Sequence, residues 1–125
     1  MLVDTDVLVW NLRGHEGAQR FLDELDEVSI SVVTWMELVR GARDQREVSR
    51  LRRALWFWNA SMIQISARIS ARAAFLIERH ALGDGLEIGG ALIAASAIEI
   101  AEPLATANHR HYKSIGGLET VRFRP

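Results

Sequence analysis

The first ten residues, MLVDTDVLVW, place two carboxylates, Asp4 and Asp6, two positions apart directly after a short apolar run. Carboxylates at the edge of a hydrophobic core repel each other and lose hydration, so such a pair calls for a cation or for hydrogen-bond donors. Two readings are open. Asp4 is a turn residue and Asp6 caps a helix beginning near Val7, or the two acids open a reactive site. A third carboxylate, Glu37, follows the next β-branched stretch, EVSISVV. Carboxylates converging from different elements suit a hard divalent cation, because Mg²⁺ takes one or two of them and keeps several waters. Glu37 also has a local explanation. With Thr34 as helix N-cap, TWME is a capping box that uses the glutamate without any metal.

Other chemistries find less support. With no cysteine there is no thiolate nucleophile or ligand and no disulfide framework, which fits a reducing compartment. His15 and His80 stand alone in helical segments and read as helix-end or surface residues. His109 and His111, two apart beside Asn108, are better placed, for phosphate contact or packing. Net charge is −1, so no global field draws nucleic acid to the chain. Locally, Arg40, Arg43, Arg46, Arg50, Arg52 and Arg53 crowd one stretch, and Lys113 is the only lysine. Arginine forks match phosphate geometry, which makes Arg40, Arg43 and Arg110 candidate RNA contacts, with His109 beside them by its place in the loop. The aromatic LWFW run, Leu55 to Trp58, reads as core with an interface edge.

These residues need elements to position them. The 125 residues, 49% hydrophobic and 25% charged, suit one domain, residues 1–125, with a real core. The longest apolar run, IGGALIAASAI, is shorter than the roughly 18 residues of a spanning helix, and Asp4 spoils a signal-peptide core. The expectation is a cytoplasmic protein with no membrane segment. MLV, EVSISVV, MIQI, PLAT and ETVRF read as strands, the last an edge. VLVWNLRG, EGAQRFLDEL, TWMELVRGAR, REVSRLRRALWFW, SARISARAAFLIERHAL and the buried ALIAASAIEIA read as helices. GDGLEIGG is a glycine-rich loop and ANHRHYKSIGG a second loop. Strands separated by helices predict a three-layer α/β/α sandwich on a mainly parallel sheet. In such sheets ligands bind at the carboxyl ends of the strands, where Asp4 and Thr106-Ala107-Asn108 fall, and a right-handed crossover brings Glu37 to the same edge.

Four blocks, LVDTDVLVW, VTWMELVRGA, LEIGGALIAASAIE and LATANHRHYKSIGGLETVRF, resemble in order and spacing the motifs of PIN-domain proteins of the VapC toxin type, over essentially the whole chain. The resemblance implies a Mg²⁺- or Mn²⁺-dependent endoribonuclease that a cognate VapB-like antitoxin neutralises and that usually forms a homodimer. It implies site roles for Asp4, Asp6, Glu37 and Asn108, with Asp4 and Glu37 as metal ligands, and His111 stands where many members carry a fourth acid. One position departs. The family enters its buried helix through an aspartate directly before ALIAA, and here that position is Gly90, after Gly89. Asp84 and Glu87 precede it without being in register. The expectation is an impaired nuclease, with a catalytically inactive RNA- and antitoxin-binding module as the alternative. DTDVL also resembles the D-x-D motif of haloacid-dehalogenase-type phosphatases, but Leu8 stands where threonine or valine is wanted and no later acidic pair follows.

Overall fold

The computed structural model describes all residues, 1–125. Five strands, β1 (Leu2–Val3), β2 (Ser29–Ser31), β3 (Ser61–Ile63), β4 (Leu104–Thr106) and β5 (Thr120–Arg122), form one sheet in the order β3-β2-β1-β4-β5. Every pairing is parallel, with Leu2 opposite both Ser29 and Leu104, Ile30 opposite Met62, and Ala105 opposite Val121. Seven helices connect them: α1 (Thr5–Leu12), α2 (Glu16–Asp23), α3 (Val32–Arg40), α4 (Gln45–Phe57), α5 (Ala67–Asp84), α6 (Ile88–Ile100) and α7 (His109–Tyr112).

Strand side chains alternate between faces, and the core divides accordingly. Leu2 and Leu104 pack with Ile69, Ala73 and Leu76 of α5 and with the alanines of α6. Val3 and Ile30 pack on the opposite side with Val7, Leu22, Leu51 and Phe123. Helices on both faces of a parallel sheet make the expected three-layer α/β/α sandwich. The sheet puts apolar surface on both sides, and either helical layer alone would leave one face wet. Within α6, the buried Ser96 satisfies its hydroxyl on the Leu92 carbonyl at 2.8 Å, so this almost wholly apolar helix carries no orphaned polar group.

Four local expectations are overturned. The N-cap of α3 is Ser31, not Thr34: its hydroxyl accepts the Val33 N–H at 3.1 Å, and Thr34 lies fully buried inside the helix. The β-branched Val32 and Val33 therefore sit in a helix, because packing of Val33 against the α5–α6 side outweighs their weak helix propensity. Asp4, not Asp6, caps α1, accepting the Thr5 N–H at 2.8 Å, so the helix starts two residues earlier than Val7. The glycine-rich loop shrinks to Gly85, Leu86 and Glu87: α5 runs on to Asp84 and stops at Gly85 with φ 70°, and Gly89 and Gly90 already belong to α6. A left-handed residue closing a helix is where glycine carries no Cβ penalty. The final loop also holds a helical turn, α7, within ANHRHYKSIGG.

Candidate active site

Parallel pairing sends the carboxyl ends of β1, β2 and β4 to one edge, and the chain leaves each through a tight turn into α1, α3 or α7. Asp4 is the first residue past β1 and is buried. Its Oδ1 accepts the Thr5 N–H, and its Oδ2 accepts the Thr106 hydroxyl at 2.8 Å from the end of β4. That hydroxyl is aimed, because its oxygen accepts the Asn108 N–H at 2.9 Å and its single proton is left for Asp4. Asp6, in the first turn of α1, accepts the Ala107 N–H on Oδ2 at 3.1 Å and lies 3.4 Å from the same Thr106 hydroxyl. Its other oxygen, Oδ1, is buried with no hydrogen-bond partner.

Glu37, on α3, is held by a residue of α1. The Thr5 hydroxyl donates to Glu37 Oε1 at 2.9 Å and contacts the buried Thr34 hydroxyl at 3.0 Å. The capping box is thus replaced by a link between helices: Thr34 contributes from the helix interior, and Glu37 turns toward the cleft. Asp4, Asp6, Glu37, Gly90, Asn108 and Tyr112 line one cleft of about 410 Å³. Arg13, Glu87 and His111 also line it.

The electrostatics are those of acids held together without a counter-charge. Burial, then the Asp6 charge, push Asp4 up to about 7 against the hydrogen bonds from Thr106 and Thr5. Asp6 is raised mainly by burial. Tyr112, 5% exposed, has its phenol raised by burial and by the Asp4, Asp6 and Glu37 charges, so it stays a neutral donor.

The candidates named from sequence distribute unevenly. Asp4, Asp6, Glu37 and Asn108 line the cleft, and Gly90 forms part of its wall. Asn108 meets His111 Nδ1 at 2.8 Å. Glu87 lines the cleft, whereas Asp84 faces away, 2.9 Å from His80 Nδ1. Arg43 lines an adjoining groove and pairs with Glu47 at 3.0 Å. Arg40 and Arg110 are exposed outside the cleft, and His109 is occupied with Thr120 at 3.1 Å. Sequence reasoning missed Thr5, Tyr112 and Arg13, and it placed Thr106 at the strand end without a role. Tyr112 is the chain's single tyrosine and follows His111, which was the available signal. The threonines carried none, because their role is to donate to carboxylates that other elements bring to them.

A hard divalent cation fits this donor set chemically. Oxygen donors only, a like-charged pair, and a buried carboxylate oxygen without a partner all favour a positive charge in the cleft. The set is sparse, and no cluster of three or more His, Cys, Asp or Glu side chains is gathered tightly enough to enclose an ion.

The fold and this cleft accord with a match of residues 1–117 to the PIN domain family model. The chain belongs to the PIN-domain family. PIN nucleases generally use divalent metals, which agrees with the oxygen-rich cleft. A toxin–antitoxin complex from Klebsiella pneumoniae contains a similar chain, with a TM-score of 0.81, 29% identity and 98% of each chain covered. VapBC2 from Rickettsia felis, bound to a DNA fragment from its promoter, is similar at a TM-score of 0.80 and 22% identity, again over 98% of each chain. FitAcB from Neisseria gonorrhoeae shares the fold at a TM-score of 0.73 and 22% identity, covering 97% of this PIN domain and 96% of that chain. No curated protein matches the chain.

Proposed function

We propose that this PIN domain is a VapC-like toxin, an endoribonuclease dependent on Mg²⁺ or Mn²⁺, working with a cation site weakened by glycine at position 90. The observation that carries the reading is the convergence of Asp4, Asp6 and Glu37 on one cleft, where Asp6 Oδ1 is buried and unpartnered. Asp4 and Glu37 would hold the ion, and Asp6 and Asn108 would orient its water shell. When bound, the ion supplies positive charge to a phosphoryl oxygen and lowers the pKa of an attacking water. The protein's own work is positional. Thr106 and the Thr5 amide fix Asp4, the Ala107 amide fixes Asp6, and the Thr5 hydroxyl fixes Glu37. Along the cleft, Asn108, His111 and Arg13 offer donors to a phosphodiester backbone. No side-chain nucleophile is required.

A groove beside the cleft suits the antitoxin we propose as partner. It is lined by Val9, Leu12, Leu38 and Leu51 from α1, α3 and α4, and it shares Val9, Arg13 and Glu37 with the acidic cleft. An amphipathic segment laid there would bury apolar side chains and deliver a terminal arginine to the carboxylates in place of the metal. The toxin–antitoxin complexes among the similar structures support such a partner. Exposed aromatics on α4, Trp56 and Phe57, supply an edge for a second copy, and we assign the protein to the cytoplasm. Co-expression with the neighbouring small open reading frame is expected to yield a stable complex; a folded protein that fails to co-purify with that product counts against toxin identity.

The decisive assay is cleavage of structured RNA with Mn²⁺ or chelator, beside an aryl phosphate. Weak Mn²⁺-dependent RNA cleavage abolished by Asp4→Asn supports the nuclease, and turnover of the aryl phosphate alone would replace it with a phosphatase. One observation favours a second reading, the non-catalytic binding module. Gly90 contributes no carboxylate to the cleft wall, and the Tyr112 hydroxyl stands against it.

A further inference from the structure

A Cβ built on Gly90 would lie 3.2 Å from the Tyr112 hydroxyl oxygen and 3.3 Å from Leu86 Cδ1. Those contacts are tighter than a side chain ordinarily accepts, so the phenol has its position because position 90 is bare. Tyr112 comes from α7, beyond β4, and Gly90 from the first turn of α6, so two distant stretches are fitted to each other. The phenol lines the same cleft as Asp4, with its hydroxyl over the bare Gly90, and the Asp4 charge is near enough to raise its pKa. Asp4 has its other donors on the protein side, from Thr5 and Thr106. A third donor from the cleft side would complete the set of partners that a buried carboxylate needs.

We propose that Tyr112 is a positioning residue whose hydroxyl caps Asp4 from the cleft, in the place a cation would take, and that Gly90 is the space that lets it do so. This rests on the reading of the cleft as a divalent-cation site and adds how that site is regulated. An incoming ion must displace a fixed O–H donor from the carboxylate it needs, so the chain is stable without metal and binds metal weakly. Ring packing does not carry the effect: the phenyl group would remain in Tyr112→Phe, and only the competing donor would go.

The test is Mn²⁺ titration by calorimetry, with thermal melts in chelator, on the full chain, Tyr112→Phe, Gly90→Ala, and each of these carrying Asp4→Asn. Tyr112→Phe is expected to melt lower in chelator and to bind Mn²⁺ at least about tenfold more tightly, the weight of one hydrogen bond to a charged group. Gly90→Ala, whose methyl group presses on the phenol, is expected to tighten Mn²⁺ binding in the same direction. Asp4→Asn is expected to abolish binding in every background. Mn²⁺ affinity in Tyr112→Phe within twofold of the parent, with Asp4→Asn still abolishing it, overturns the role of Tyr112 and leaves the cation site standing. No Mn²⁺ binding by any of the folded proteins overturns both.

Discussion

Placing an aspartate at position 90 sets opposing effects of known size against each other. Replacing glycine by aspartate in the first turn of α6 gains only about 0.3 kcal/mol of helix propensity, because aspartate ranks just above glycine. A carboxylate there adds about 0.3–1 kcal/mol from the helix dipole. That turn has no acidic residue, and Glu87 makes no side-chain cap. Against this, the new Cβ sits 3.2 Å from the Tyr112 hydroxyl, an overpacking that costs on the order of 2 kcal/mol. A further charge among Asp4, Asp6 and Glu37 costs about 2 kcal/mol more, on the scale of unit charges several ångströms apart near a protein surface. Gly90→Asp is therefore expected to lose about 3 kcal/mol in chelator, or about 12 °C for a domain of this size. Mn²⁺ at a hundred times its dissociation constant should return about 2.7 kcal/mol. The double variant Gly90→Asp/Tyr112→Phe, free of the contact with the hydroxyl, should melt higher than Gly90→Asp in chelator and cleave RNA faster with Mn²⁺. Paired melts with and without Mn²⁺ beside an RNA cleavage assay read all of this. Absence of both metal-dependent stabilisation and cleavage in the single and the double variant refutes position 90 as the missing ligand.

Further outcomes follow from the same contacts. In chelator, the folded state keeps a proton on Asp4 that the unfolded chain has lost, because the folded pKa is about 7 against the ordinary 3.8. The stabilisation is complete below pH 4 and falls away as pH rises toward 7, by about 4 kcal/mol at most; Asp4→Asn should flatten urea midpoints across that window. Thr5→Val removes the hydroxyl that holds Glu37 at 2.9 Å. It should cost about 0.5–1.5 kcal/mol of stability yet lower RNA cleavage about tenfold, and equal cleavage by the two proteins would show Glu37 is positioned otherwise. Ser31→Ala should cost about 1 kcal/mol as the loss of the α3 cap, and an unchanged urea midpoint would return that role to another residue.

Much of this molecule was legible from residue order alone. Strands separated by helices dictated a parallel sheet with two helical layers, since apolar strands flanked by amphipathic helices bury their surface economically in no other way. Parallel strands then carry their carboxyl ends to one edge, which is why Asp4, Glu37 and Asn108 could be assigned to one place before any contact was known. What residue order left open was decided by atoms arriving from elsewhere in the chain. Asp4, not Asp6, caps α1, and Ser31, not Thr34, caps α3; side-chain types allow either choice, and only packing of the helices against the sheet settles the first turn. Glu37 fits a capping box in sequence, yet its partner is Thr5, 32 residues away. The Thr106 hydroxyl reaches Asp4 across 102 residues. The pairing of Gly90 with Tyr112 had no sequence signature, because a glycine records only that space was wanted and tertiary structure alone names the side chain that fills it.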